Sequence, residues 1–286
     1  MSTIYAVTGA SGHLGHRAVT ELLARDVSPE NIVAIARTPE KISDLSSQGV
    51  QVREGDYTKP DTLRSALAGV DRLLLVSGSE VGQRSVQHAA VIEAAKANGV
   101  GRIVYTSILG ADTTQNPLAP EHVETESALR SSGIAHTVLR NGWYIENYTS
   151  QAQQYQETGA ILGATGGAKV SGAAREDYAI AAAAALLDDA TDGRVYELGG
   201  AAFSFDELAE AIGEATGTTI AHKDLPAEEY TAALISAGLD EQTAGFLAAL
   251  DATIAAGELE TDSDDLARLI GRAPTPMADV VRAELA

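Results

Sequence analysis

The chain has 286 residues, enough for one large α/β domain or for a main domain with a smaller second one. Its formal net charge of −20 comes from 40 acidic and 20 basic side chains, and it argues against nucleic acid and membrane surfaces as partners. The lack of cysteine excludes disulfides, thiolate catalysis and cysteine-bound metal centres. No leader peptide and no membrane-spanning run is recognisable, so we expect a cytoplasmic protein.

Short apolar runs rich in β-branched residues alternate with amphipathic stretches through the first half of the chain. Six of these runs are predicted strands, at residues 4–9, 32–37, 50–56, 71–78, 102–107 and 135–142. Predicted helices follow them, beginning near His13, Pro39, Pro60, Val81, Glu121 and Trp143. This alternation is typical of βαβ units, so residues 1–150 are predicted to form a Rossmann-type, doubly wound parallel sheet of the α/β class.

After residue 150 the alternation becomes irregular. The chain there has a glycine-rich turn at 163–169, further short predicted strands at 195–200 and 219–225, and several alanine-rich helical stretches. We predict that residues 151–286 form a smaller, mostly helical lobe, with some segments returning to the sheet. Because no linker rich in proline or serine separates the two parts, the lobe should pack on the sheet and cover a substrate in the cleft between them.

The segment VTGASGHLG, residues 7–15, lies between the first predicted strand and the first predicted helix. Its three glycines, spaced three residues apart, allow a tight turn, close approach of a pyrophosphate to backbone N–H groups and close packing of helix on strand. We therefore expect this turn to bind a dinucleotide, and a plain βα turn is the alternative. The predicted contacts are Thr8, Gly9, Ala10, Ser11, Gly12, His13, Leu14 and Gly15.

The second predicted strand ends with Arg37, and Lys41 follows one helical turn later. A site for NAD carries an acidic residue at this strand end to hold the ribose 2′-hydroxyl, whereas arginine favours the 2′-phosphate of NADP. The predicted cofactor is therefore NADPH, and a solvated pair of basic side chains is the alternative.

Ligands of open α/β sheets bind beyond the carboxyl ends of the strands, so residues that follow the third and fourth predicted strands are further candidates. Asp56 and Tyr57 would flank the adenine. Ser77, Gly78 and Ser79 would pass under the ribose and nicotinamide. The alternative for each of these positions is an ordinary turn.

Taken together, these segments resemble the NmrA-like group of atypical short-chain dehydrogenases, and within it the type 2 NADPH-dependent quinone oxidoreductases and the related triphenylmethane dye reductases. The most specific matches are SEVGQR at 79–84 and RNGWY at 140–144, and the likeness extends over nearly the whole chain. The resemblance implies that the NADPH site also includes Glu80, Gln83, Arg84, Leu139, Arg140, Asn141, Gly142, Trp143, Tyr144 and Arg175.

The resemblance to the wider short-chain family implies a catalytic Ser-Tyr-Lys set. Of these three residues, this chain has only the serine, Ser107. His122 and Glu126, in the segment EHVETE, fall near the positions of the absent tyrosine and lysine. They would be either a proton relay or a charged pair on the exposed first turn of a helix. A His122 that faces the nicotinamide would donate a proton or bind the amide.

Reduction of a quinone does not need the proton-donating tyrosine that is absent here. Hydride addition to a quinone leaves negative charge spread through an aromatising ring, so a few hydrogen-bond donors and water suffice. The candidate catalytic residues are therefore Asn141 and Tyr144, which would hold the acceptor, with His122 and Ser107. Trp143 would stack on the acceptor or be a core residue.

The predicted function is flavin-independent, two-electron reduction of small quinones by NADPH. A redox sensor that binds NADP(H) and a reductase of dyes or other conjugated electrophiles are the alternatives. His13 and His16 lie one helical turn apart without a third ligand, so no metal is predicted. The sequence leaves the oligomeric state open, with a homodimer among the candidates.

The replacement Arg37→Asp should weaken binding of NADPH much more than binding of NADH, because it removes the partner of the 2′-phosphate and places a carboxylate beside it. Titration of the purified variant with each cofactor measures both dissociation constants. Equal losses for the two cofactors would mean that Arg37 does not meet the 2′-phosphate.

Overall fold

A computed structural model describes residues 2–286 and has a main sheet of seven parallel strands flanked by helices. The strands are β1 (Tyr5–Val7), β2 (Ile32–Ala36), β3 (Gln51–Glu54), β4 (Arg72–Leu75), β5 (Arg102–Ile108), β6 (Ala135–Asn141), β7 (Ala160–Gly163), β8 (Val195–Leu198) and β9 (Ala221–Asp224). The order in the main sheet is β3-β2-β1-β4-β5-β6-β8, and β7 pairs with β9 in a separate two-stranded sheet. The predicted Rossmann-type α/β fold is confirmed.

The helices lie on both faces of the main sheet and in the second half of the chain. They are α1 (His13–Ala24), α2 (Ser43–Ser47), α3 (Pro60–Ala66), α4 (Arg84–Ala97), α5 (Ala119–Ser132), α6 (Glu146–Thr149), α7 (Ala152–Thr158), α8 (Arg175–Leu187), α9 (Phe205–Thr216), α10 (Ala227–Ser236), α11 (Glu241–Ala255), α12 (Asp265–Ile270) and α13 (Met277–Glu284). None of them, within residues 2–286, combines the length and apolar character that a membrane-spanning helix requires.

Both faces of the sheet are buried, which explains the continuous apolar runs of the central strands. Alternate residues of β2 point to opposite sides, so Ile32 and Ala34 pack toward α1, α8 and α12, while Val33 and Ile35 pack toward α3, α4 and α5. Burial of one such side chain contributes about 1.5–3 kcal/mol. The sheet is therefore a rigid support for the loops at its carboxyl edge.

Part of the chain beyond residue 150 belongs to this framework. Strand β8 pairs in parallel with β6, and α8 packs on α1 and α12. A further apolar cluster contains Phe203, Phe205 and Ile212 and joins α6, α7, α9 and α13. Segments after residue 150 thus return to the sheet, and the division of the chain at that residue stays a prediction.

Four α-helix starts differ from the sequence-based predictions, and one of them is α2, which begins at Ser43 after a 3-10 turn at Pro39–Ile42. The helix expected near Val81 begins at Arg84, since Gly82 has a φ of +82° and the Glu121 carboxylate accepts the backbone N–H groups of Gly82 and Arg84. The helix expected near Glu121 begins two residues earlier, at Ala119. The helix expected near Trp143 begins only at Glu146, because the backbone of Tyr144 forms a parallel bridge with Ala173. Strand β7 was not predicted.

The turn between β1 and α1 needs its glycines for space and for backbone conformation. Gly9 has a φ of +61°, in the left-handed region that favours glycine. A Cβ atom on Gly15 would stand against the Gly9 carbonyl, 2.8 Å from its carbon atom, and 3.1 Å from Cα of Ala10. The start of α1 therefore packs directly on the backbone of the turn.

The replacement Gly15→Ala should lower the free energy of unfolding by about 1–3 kcal/mol, because the new methyl group forces the helix away from the turn. Urea unfolding of the purified variant measures the change. Gly245→Ala is a matched control: Gly245 lies within α11 with open space around its Cα, so alanine should leave stability unchanged or raise it by about 0.5–1 kcal/mol. Equal effects of the two replacements would contradict the close packing at Gly15.

Candidate active site

A cavity of about 550 Å³ lies along the carboxyl edge of the main sheet. It runs from the turn before α1, past the ends of β2, β3 and β4, to the residues that follow β5 and β6. The predicted site residues that line it are Gly9, Ser11, Gly12, His13, Leu14, Gly15, Arg37, Asp56, Tyr57, Ser77, Gly78, Ser79, Glu80, Arg84, Ser107, His122, Asn141, Gly142, Trp143, Tyr144 and Arg175.

Six predicted site residues are not part of the cavity wall. Ala10 and Leu139 are buried in the core, and Gln83 caps the start of α4. Lys41 is exposed on a 3-10 turn, Pro39–Ile42. The other two, Thr8 and Arg140, act through neighbours that do line the cavity.

Thr8 anchors the aromatic wall of the cavity. The Tyr57 hydroxyl lies 2.6 Å from Thr8 Oγ1 and 2.8 Å from the carbonyl oxygen of Val76. Because Thr8 itself donates to the Leu74 carbonyl, it is free to accept the Tyr57 proton. Burial raises the pKa of Tyr57, so its hydroxyl stays neutral and its ring is held at the adenine end proposed from the sequence.

At the same end, Arg37 is not an isolated positive charge. Its Nη1 donates to Oε1 of Glu80 at 2.8 Å, and the other carboxylate oxygen accepts from Nε2 of Gln87 at 2.8 Å. The side chains of Arg37 and Glu80 remain 65% and 44% exposed. The end of β2, the loop after β4 and helix α4 are therefore tied together at the rim of the cavity.

The part of the cavity wall that follows β4 is held in place by His88, a residue that was not predicted from the sequence. The backbone N–H of Gly78 donates to Nε2 of His88 at 2.9 Å, so the ring proton is on Nδ1, which donates to Thr125 Oγ1 at 2.9 Å. Burial and the charge of Arg84 lower the pKa of His88 to about 4. His88 follows Arg84 by one helical turn, a spacing that places both on one face of α4.

His122 is buried, with 2% of its surface exposed, and it lies against a tyrosine of β5. Its Nδ1 is 2.7 Å from the hydroxyl of Tyr105, and this is the hydrogen bond that satisfies the Tyr105 proton. With the tyrosine as the donor, the proton of the neutral imidazole is on Nε2, and His122 itself lines the cavity. Burial and the charge of Arg84 lower the pKa of His122 to about 3.

Of the two alternatives for His122 and Glu126, the exposed charged pair on a first helical turn is wrong. Glu126 is 1% exposed, and its carboxylate accepts from Nε of Arg140 at 3.0 Å and from Nη2 at 2.8 Å. Ser107 Oγ donates to the same carboxylate at 2.7 Å. Because the Ser107 hydroxyl proton is engaged in this hydrogen bond, the Ser107 oxygen faces a ligand in the cavity as an acceptor and not as a donor.

Arg140 neutralises this buried acid. Burial alone would lower the pKa of Arg140, but the carboxylates of Glu126, Asp112 and Glu197 together raise it above its ordinary value. Asp112 and Glu197 are 2.7 Å and 2.9 Å from Nη1. Arg140 thus supports the cavity wall from behind, by fixing Glu126 and through it Ser107.

The segment after β6 forms the opposite wall. Asn141 Nδ2 lies 3.4 Å from the Tyr144 hydroxyl, and its Oδ1 is buried with no hydrogen-bond partner among the described residues. Arg175 stands over the Tyr144 ring, 5.4 Å from its centroid. Trp143 lines the cavity and also packs on the apolar cluster of the second half of the chain, and its stacking on an acceptor stays a prediction.

These residues suit a reduced dinucleotide on geometric grounds. The helix N-terminus and the glycine turn form a cradle for a pyrophosphate, Arg37 is at the strand end that selects the ribose substituent, and Asn141 has an unused acceptor. A family model described as NAD(P)H-binding matches residues 9–190.

The chain belongs to this NAD(P)H-binding family. It is 46% identical to quinone oxidoreductase 2 of Escherichia coli over 277 residues, and this alignment covers 96% of each chain. Within the family, the crystal structure of the E. coli NADPH-dependent quinone oxidoreductase complexed with NADPH is 45% identical, with a TM-score of 0.93 over 98% of this chain and 99% of that one. The triphenylmethane reductase of Citrobacter sp. complexed with NADP(H) is 38% identical, with a TM-score of 0.88 over 98% and 99%.

The cavity wall also contains residues that were not among the predicted site residues. Gln87 and Asn147 line it, and Tyr105 fixes His122 from behind. Tyr105 precedes Ser107 by two residues in β5, so strand periodicity alone places both side chains on the face that α5 covers. The remaining unpredicted lining residues are Ala36, Gly55, Thr58, Val76, Ile108 and Leu118.

Burial of His122 in its neutral form should make the fold less stable in mild acid. The folded-state pKa of about 3 is below the ordinary 6.5, so the unfolded chain takes up the proton first, and stability present above pH 6.5 is lost as the pH falls. Between about pH 6.5 and pH 5, wild type should lose about 2 kcal/mol more than His122→Gln.

Urea unfolding of both proteins at the two pH values measures this difference, in which contributions of all other titrating groups cancel. His136→Gln, which changes a histidine at the start of β6, is the control and should keep the wild-type pH dependence. An identical pH dependence for wild type and His122→Gln would show that His122 is not held neutral by burial.

Proposed function

We propose that this protein is a flavin-independent reductase that transfers two electrons from NADPH to small quinones. The observation that carries the proposal is that the inner half of the cavity offers hydrogen-bond donors but no acid suited to protonating an alkoxide. The similarity over nearly the whole chain to quinone oxidoreductase 2 of E. coli supports the same conclusion.

The residues that would hold NADPH divide along the cavity. The N–H groups of the turn from Gly9 to Gly15 would bind the pyrophosphate, and Arg37 would bind the 2′-phosphate. Asn141 Oδ1 and the lone pairs of Ser107 would accept the N–H groups of the carboxamide. When bound, NADPH supplies a hydride from its nicotinamide ring.

Each candidate acid in the cavity is unable to deliver a proton readily. His122 has a pKa of about 3 and is neutral at neutral pH, burial raises the pKa of Tyr144, and the Ser107 proton is used by Glu126. An ordinary ketone needs an acid as the hydride arrives, since charge builds up on a single oxygen. A quinone spreads that charge over its ring, so hydrogen-bond donors are sufficient.

Two neutral donors are available for the acceptor oxygen. His122 presents Nε2–H because Tyr105 occupies Nδ1, and the Tyr144 hydroxyl can donate because its contact with Asn141 leaves its proton free. Trp143 and Tyr144 would stack on the acceptor ring and orient it against the nicotinamide. The final proton of the hydroquinone would come from water.

Cationic dyes are a second candidate class of acceptor. The triphenylmethane reductase of Citrobacter sp. shares the fold over nearly the whole chain, and the net charge of −20 attracts cations. Hydride addition to the electrophilic carbon of such a cation cancels its positive charge and forms a neutral product, so no protein acid is needed. A cytoplasmic location and a homodimeric state remain predictions from the sequence.

Purified protein should oxidise NADPH when benzoquinone is added, without flavin, and Tyr144→Phe should lower kcat about 10-fold to 100-fold because one donor to the developing anion is lost. The absorbance of the reduced nicotinamide measures the rate, and dyes are assayed beside quinones under equal conditions. Tyr148→Phe is a matched control, since the buried Tyr148 hydroxyl has no partner among the described residues. Tight NADPH binding without turnover of any acceptor would favour the redox sensor.

A further inference from the structure

An acidic side chain, Glu80, pairs with the arginine that is proposed to bind the 2′-phosphate. Glu80 follows β4, Arg37 follows β2, and β1 lies between these two strands in the sheet. The 2.8 Å ion pair between them therefore crosses the carboxyl end of β1, beside the glycine turn that begins there. Both side chains line the cavity.

The carboxylate of Glu80 is placed by more than this ion pair. Gln87 on α4 donates to its second oxygen, and the loop that carries it is held by the Glu121 carboxylate at Gly82 and Arg84. Arg84 in turn donates through Nε to the Gly78 carbonyl at 2.6 Å. The loop is thus fixed on both sides of Glu80, which makes its position a property of the fold.

The chemistry of the two ribose substituents differs toward this pair. A 2′-phosphate pairs well with a guanidinium and is repelled by a carboxylate, whereas a 2′-hydroxyl donates to a carboxylate and gains little from a guanidinium. In NAD sites of this fold class the acid comes from the end of the second strand. Here the arginine is at that strand end, and the acid reaches it from the loop after β4.

We propose that Glu80 is a specificity-determining residue that competes with the 2′-phosphate of NADPH for Arg37 and accepts the 2′-hydroxyl of NADH. The inference rests on the proposed function, because it takes Arg37 as the partner of the 2′-phosphate. Glu80 narrows the difference in affinity between the two cofactors, and the protein keeps measurable binding of NADH.

The test compares cofactor affinities of wild type and Glu80→Gln by calorimetric titration with NADPH, NADH and adenosine 2′,5′-bisphosphate. The last probe has the 2′-phosphate but no nicotinamide, so it reports on this end of the cavity alone. Glu80→Gln should lower the dissociation constants of NADPH and of the bisphosphate about 3-fold to 10-fold, and should raise that of NADH about 3-fold. The variant should fold, because exposed ion pairs add little stability.

Two further variants separate this inference from the proposed function. Glu40→Gln removes the same charge from an exposed position near Arg37 in the chain, and it should leave all three dissociation constants close to wild type. Arg37→Gln should weaken NADPH and the bisphosphate; if it does not, the proposed 2′-phosphate contact is wrong. If Arg37→Gln weakens both while Glu80→Gln leaves every constant unchanged, or tightens NADPH and NADH equally, the role of Glu80 alone is overturned.

Discussion

Burial of the side chains of the cavity wall that lie between β5 and α5 separates them from water, and this desolvation determines which of them carry charge. The rings of His88 and His122 are too deeply buried to hold a proton, and each is fixed in one tautomer by a neighbour. The one buried acid of this wall, Glu126, is compensated by the guanidinium of Arg140. The same desolvation leaves the inner cavity with oriented neutral dipoles and no titrating acid.

That electrostatic character connects the structure with its choice of acceptor. A set of fixed dipoles stabilises diffuse negative charge well and transfers protons poorly, so it suits acceptors whose own conjugation spreads the charge. An exposed ion pair lies instead at the adenine end, where Arg37 and Glu80 meet at the rim. Recognition of the cofactor and activation of the acceptor thus rely on different physics at opposite ends of one cavity.

The parts of this arrangement that sequence could predict are those set by local pattern. The alternation of strands and helices gave the parallel sheet, and the glycine spacing together with Arg37 indicated where a dinucleotide would bind. The sheet rule for ligand position then placed Tyr57, Ser77 and Gly78 at the cavity. Each of these inferences needs only neighbouring residues and the geometry of a βα turn.

What sequence could not predict depends on contacts between distant segments. Glu126 looked like an exposed charge because nothing near it in the chain shows that Arg140 lies opposite, although strand pairing brings Ser107 beside Arg140. The later start of α4 depends on Glu121, which approaches from another helix. Tyr105 and His88 were not predicted, because their roles in positioning the cavity wall depend on burial, which a sequence motif does not show.

The central claim is that the acceptor takes up the charge of the hydride without help from a protein acid. Single-turnover reduction of benzoquinone, with NADPH deuterated at the transferred position and in both H₂O and D₂O, tests it most directly. The account predicts a clear isotope effect from the cofactor and a solvent isotope effect of about one, because no proton moves in the transition state. A large solvent effect would contradict the account, since it would show that a group in the cavity delivers a proton with the hydride.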